Sequence, residues 1–223
     1  LGIVVPELGA VRERLADMLD EALQPAALAP ARAESPRRYD FSLGTPLARR
    51  PLVHAALELI GLASGHGRIE QARLGELLRG GYWSAEGETD ARHRLEARLR
   101  EKLAPEITLE RLIRFVRRAS APGEEKTIAV PLLLRHLEAL QAWAAPARQL
   151  PSQWAGRFAA LLDAAGWPGD RPLSSHEWQA RRAFAEALEG LGELDAVLGK
   201  VGAGDTVVQL RQLCNERIFQ PEA

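Results

Sequence analysis

Leu1-Gly2-Ile3-Val4-Val5-Pro6-Glu7-Leu8 reads as a short apolar strand closed by proline, and it runs straight into residues with helical periodicity. Val11, Leu15, Met18, Leu19, Ala22 and Leu23 put one apolar face on a helix that Pro25 ends. A single strand makes no sheet, and the chain starts without Met. The expectation is therefore a piece of a longer protein whose sheet partners lie elsewhere. Pro25 to Arg38 is rich in Pro and Ala and reads as an exposed linker. Only two further stretches have strand character, Tyr39 to Leu43 and Thr127 to Val130, the second cut short by Pro131.

The remainder is helical by composition and punctuation, with Ala, Leu, Arg and Glu supplying helix propensity. Leu52, Ala55, Ala56, Leu59, Ile60 and Leu62 make a broad apolar stripe that Ser64-Gly65-His66-Gly67 stops. The pattern predicts further helices over 69–78, 89–103, from Thr108 as N-cap, over 131–144, from Ser152 as N-cap, from the Ser174-x-x-Glu177 capping box to about Leu191, and over 206–216. No repeat of fixed period is visible. The fold class expected is mainly α.

At 223 residues, 46% hydrophobic and 26% charged, the chain can bury one sizeable core or two small ones. A net charge of -1 gives no global field toward nucleic acid or anionic lipid, so such binding needs a local patch. The single Cys214 forms no internal disulfide. With no secretory segment and no apolar run long enough to span a bilayer, the cytoplasm is the expected compartment and no membrane partner is expected.

Tests for chemistry return little. Gly199-Lys200-Val201 lacks the upstream Gly and the Ser/Thr of a P-loop, and Gly202-Ala203-Gly204 lacks the third Gly and the preceding strand of a dinucleotide loop. Both read as a turn. His54, His66, His93, His136 and His176 never fall at the spacing that puts two imidazoles on one helix face, and a lone thiol builds no zinc site. Cys214 reads as a small buried hydrophobe. Glu124-Glu125-Lys126 matches half of a metal-dependent nuclease motif, but its Pro-Gly loop context reads as solvated. No catalytic, cofactor or metal residue is assigned.

The charge pattern is more informative. Between Arg92 and Arg118 stand nine Arg or Lys residues against four Glu. On the helix after Thr108, Arg111, Arg114 and Arg118 share a face opposite Leu109, Leu112 and Val116. Together with Arg117 they form a stripe that can track phosphates, or a solvated face paired with Glu96, Glu101, Glu106 and Glu110. Among the five Trp residues, Trp143, Trp154 and Trp178 sit at core spacing. Trp83, in a Gly-Gly-Tyr-Trp loop, is either a stacking surface for bases or a packing plug.

Gly2-Ile3-Val4-Val5-Pro6-Glu7-Leu8, Phe41-Ser42-Leu43-Gly44-Thr45-Pro46-Leu47, Pro51-Leu52-Val53, Leu74-Gly75-Glu76-Leu77-Leu78 and Tyr82-Trp83 resemble the AddB-like family of bacterial DNA repair proteins. These are large relatives of UvrD/RecB-type helicases with a RecB-type nuclease domain at the C-terminus. The resemblance implies that residues 1–24 are a strand-helix piece of a RecA-like motor domain, 25–38 a linker, and 39–223 a helical accessory domain of the 2B type. It implies ATP and divalent-metal chemistry elsewhere in the parent, and none in this stretch. The partners it implies are DNA, the other domains of the parent and a helicase/nuclease subunit. The rival reading from the residues is a protein-protein interaction module that docks a partner near Trp83 or on the last helix.

Overall fold

The computed structural model describes residues 2–25, 38–39, 41–64, 68–121, 127–143 and 145–221, and these are mainly helical, as the composition predicts. They form two compact units. One gathers the residues up to Thr45 with those from Phe219 onward, and the other runs from Pro46 to Ile218. The helices in chain order are α1 (Leu8–Leu23), α2 (Pro51–Ala63), α3 (Gln71–Arg79), α4 (Thr89–Lys102), α5 (Leu109–Ala119), α6 (Pro131–Ala142), α7 (Pro151–Ala164), α8 (Ser175–Gly190), the short α9 (Asp195–Leu198) and α10 (Ala203–Glu216).

In the first unit the opening stretch departs from expectation. Residues 2–5 form no strand, and Ile3 and Val4 are 62% and 94% exposed. A β-branched run becomes a strand only when a neighbour takes up its backbone groups, and no described residue pairs with these. The described residues of the Tyr39 to Leu43 stretch are not in a strand either. They are tied to α1 by side chains: the Tyr39 hydroxyl donates to Asp20 Oδ1 at 2.7 Å and to the Ala16 carbonyl at 3.1 Å. Phe41 meets Tyr39 edge-on at 5.4 Å, and the Arg12 guanidinium lies 4.8 Å over the Phe41 ring. Most of the expected linker, residues 26–37, lies outside the described residues.

The second unit is built around α2, which is apolar nearly all round and accordingly buried nearly all round, from Leu52 to Leu62. Helices α6, α7, α8 and α10 pack against it. Side chains from distant parts of the chain reach its backbone: Trp167 Nε1 donates to the Leu52 carbonyl at 2.9 Å and Arg211 Nη2 to the Leu57 carbonyl at 3.0 Å. Trp154 is fully buried between α7 and the 201 turn, with its ring stacked 5.8 Å from Phe158 and its N–H on the Val201 carbonyl. Each such side chain contributes roughly 1.5–3 kcal/mol by leaving water.

A second cluster, α3, α4 and α5, hangs on a two-stranded antiparallel ribbon. Arg68 pairs with Thr108, Ile69 with Ile107 and Glu70 with Glu106. The sequence pattern extends the 69–78 helix across Ile69, whereas Arg68–Glu70 is strand and α3 begins at Gln71. Each strand leads directly into a helix, and the two run in parallel as sequences: Ile69-x-x-x-Arg73-Leu74 and Ile107-x-x-x-Arg111-Leu112. The Ile69–Ile107 pair is the centre of the antiparallel ribbon, and Arg73 and Arg111 each stand four residues after it in sequence.

Local capping follows the side-chain chemistry at two of three expected sites. Thr108 Oγ1 accepts from the Arg111 N–H at 3.2 Å, and Ser174 and Glu177 close a capping box at the start of α8. Ser152 is not a cap. Pro151 takes the first helical position, and Ser152 instead donates its N–H and hydroxyl to Asp195 at 2.9 and 2.6 Å. Thr127 to Val130 forms no strand. Its Ile128 is pinned to the end of α5 by Ile128 N–H to Ala119 carbonyl at 2.8 Å and by Ser120 Oγ to the Ile128 carbonyl at 2.8 Å.

Candidate functional site

The helix carrying the basic stripe is amphipathic, with Leu109, Leu112, Ile113 and Val116 buried against α6 and the ribbon. Arg111, Arg114, Arg117 and Arg118 are all exposed. Arg114 lies 3.7 Å from Glu110, one turn back, and Arg117 reaches across to Glu138 on α6 at 2.7 Å. Among the described residues, Arg111 and Arg118 have no side-chain partner. The face thus carries four cations and one intrahelical acid, with Arg117 partly spent on holding α5 to α6.

The rest of the basic run divides differently. Arg92 is a core residue, 0% exposed, so it leaves the candidate surface. Arg100 and Arg79 both engage the buried Glu96, at 2.8 and 2.6 Å, and Lys102 lies 3.5 Å from Glu101. The wider stripe is therefore largely paired, and the open part is α5.

Around Arg92 lies a polar interior. Its guanidinium donates to the Trp83 carbonyl at 3.2 Å and to the Ser84 carbonyl, pairs with Glu88 at 3.4 Å, and faces the Trp83 ring 5.6 Å from its centroid. The Glu88 carboxylate also accepts from the N–H groups of Leu132 and Leu133 at the start of α6, where the helix dipole favours an anion. The Trp83 indole donates to the Ala165 carbonyl at 2.7 Å. Asp170 accepts from the Ser84 hydroxyl and from the Ala85 N–H at 2.6 Å. Gly166 and Gly169, at φ +81° and +99°, let the 165–170 turn approach this closely; a Cβ at Gly166 would sit 2.8 Å from His136 Nε2, and one at Gly169 would run into the Gly81 carbonyl.

This knot joins α4, α6, the loop before α4 and the 165–170 turn after α7, and does not form a catalytic relay. The Ser84 hydroxyl donates to Asp170, and no described hydrogen bond links it to His136. His136 is buried with Nδ1 unpartnered. Burial first, and then the charges of Arg92 and Arg135, hold its pKa below the usual 6.5, against the opposing pull of Asp170 and Glu88. Because the unfolded chain takes up this proton and the fold resists it, stability falls as pH drops below 6.5. A melting series from about pH 7 to pH 5 should show this slope, and His136→Leu should flatten it. Glu177 acts in a separate window. Burial pushes its carboxyl up, but hydrogen bonds from Arg171, the Ser174 N–H and Tyr82 hold it at about 2, so its contribution is complete above 4.5 and lost as pH falls toward 2.

Trp83 is 1% exposed and is a packing plug. Trp178, expected in the core, is 55% exposed, with Arg181 5.2 Å over its ring. Cys214 is buried, and burial raises its thiol to about 12, which removes it as a nucleophile. Gly199 takes a left-handed turn at φ +59°, and Gly202 precedes the first turn of α10. Residues 124–126 and His66 lie outside the described residues. Among the described residues, no group of His, Cys, Asp and Glu is arranged to hold a metal, and no helix is long and apolar enough to cross a membrane. Comparison with family models, curated proteins and solved structures returns no match for this chain.

Proposed function

We propose that this chain is a non-catalytic, DNA-engaging accessory domain of an AddB-like repair helicase/nuclease acting in double-strand-break recombination in the cytoplasm, with ATP and metal chemistry supplied by other parts of the parent. The observation that carries the reading is α5: four exposed arginines opposite a buried apolar face, two of them without a partner among the described residues. A rigid helix that presents guanidinium groups along one side suits backbone phosphates, which it would contact without reading sequence.

The test is anisotropy of labelled single-stranded and forked duplex DNA at about 50 and 200 mM salt. Three to four phosphate contacts predict a loss of affinity on the order of a hundredfold across that range. The triple variant Arg111→Ala, Arg114→Ala, Arg118→Ala should weaken binding and lower the salt slope by about three. Arg117 is spared because its Glu138 contact joins α5 to α6. Absence of binding by the folded wild-type chain would sink the reading. The rival is partner docking on the last helix, where Val208 is 61% exposed. It predicts no salt-sensitive DNA binding.

A further inference from the structure

A pocket of about 280 Å3 opens between α2, the start of α3 and the first half of α10. Its lining includes three arginines, Arg68, Arg73 and Arg211, and one buried carboxylate, Glu58, whose side chain is 6% exposed and which Arg73 and Arg211 contact. A buried carboxylate in a mostly apolar helix needs cations, and here it takes two on the same oxygen: Arg211 Nη2 at 3.0 Å and Arg73 Nη1 at 3.5 Å. Arg211 is fixed further by its bond to the Leu57 carbonyl. Its Nε and Nη1 have no partner among the described residues. Arg73 is also shared loosely with Glu70 at 3.5 Å, and Arg68 with Glu106 at 3.5 Å, both on the exposed rim.

The lining beside these cations includes residues that leave room. Gly61 and Gly204 carry no side chain into the space, and a Cβ at Gly61 would come within 3.2 Å of Arg211 Nη2. Gly204 lies in the first turn of a 14-residue helix, whose positive end adds to the field. Inside the pocket, three cations face one acid, and that acid serves to aim two of the guanidiniums. We infer that this pocket binds a phosphate monoester, held by Arg68, Arg73 and Arg211 with Glu58 as the positioning residue. The geometry suits a compact tetrahedral oxyanion, because guanidinium N–H pairs match its oxygens. The site is separate from the α5 face and does not depend on it.

Calorimetric titration of the full chain with inorganic phosphate tests it. Saturable binding is expected. Arg73→Ala and Arg68→Ala should each weaken it on the order of tenfold, since each removes one charge-assisted contact from a half-exposed or exposed side chain. Glu58→Gln keeps an acceptor for Arg73 and Arg211 and removes the one anion among the described lining residues, so it should bind phosphate at least as tightly as wild type, whereas Glu58→Ala, which releases both guanidiniums, should weaken binding. Circular dichroism confirms that each variant is folded. The α5 triple variant should bind phosphate as wild type does, which separates failure here from failure of the DNA reading. A 5′-phosphorylated oligonucleotide that phosphate displaces would identify a strand end as the source. If only free phosphate binds, the source is a small metabolite or the ion itself. No saturable heat with folded wild-type chain, or binding indifferent to Arg68 and Arg73, overturns the proposal.

Discussion

Arg92→Ala is expected to lower the unfolding free energy by about 3–5 kcal/mol, read from urea unfolding followed by circular dichroism. The size comes from what the substitution leaves behind. The Trp83 and Ser84 carbonyls lose their donor, the Glu88 carboxylate loses its buried cation, and a cavity replaces a fully buried side chain. Burial lowers the Arg92 pKa and Glu88 raises it, yet guanidinium stays charged at any pH of interest, so the fold must always solvate it from within. Arg114→Ala, from the same run of basic residues, should change stability by less than about 0.5 kcal/mol, because its Glu110 contact is long and exposed. Arg92→Lys should fall between the two, since it keeps the charge and loses the fork that serves two carbonyls and Glu88 together.

That contrast marks where the sequence could be read and where it could not. Thr108 and the Ser174–Glu177 box are legible because a cap is a local transaction between a side chain and an N–H three residues on. Arg92 falls within a run that looks like surface charge. It also stands three residues before Leu95 and seven before Leu99, on the buried side of α4, and that spacing is the signal that places it inside. Trp178 fails in the opposite direction. The buried line of α8 runs through Glu177, Ala180, Phe184 and Leu188, and Trp178 is one residue, about 100° of helix, away from it. Three-residue strands have too little sequence to show alternation, so the ribbon was masked by the helical pattern that follows each half. The shared Ile-x-x-x-Arg-Leu at 69–74 and 107–112 is the trace it leaves. The Glu58 pocket had no trace at all, since Arg211 comes from the last helix and meets Glu58 and Arg73, on two consecutive helices near the start, only in the fold.

Trp83→Ala is expected to cost about 3–5 kcal/mol in the same assay, and its coupling to Arg92 decides how the interior knot works. The indole fills the space under Arg92 and donates to the Ala165 carbonyl, while its own carbonyl takes a bond from the guanidinium. Each residue therefore holds the other in place. The double variant should cost less than the two single losses added together, by roughly 1–3 kcal/mol. Additive losses would mean that the ring and the guanidinium stabilise separate parts of the structure. Trp83→Phe should be milder, since it keeps most of the packing and forfeits the bond to Ala165. The same variant bears on function. A loop tryptophan that stacks on bases would lose DNA affinity when the indole becomes a smaller ring, whereas a plug closed beneath Arg92 should leave the salt-sensitive binding of the folded Trp83→Phe protein unchanged, because no face of the buried ring is open to a base.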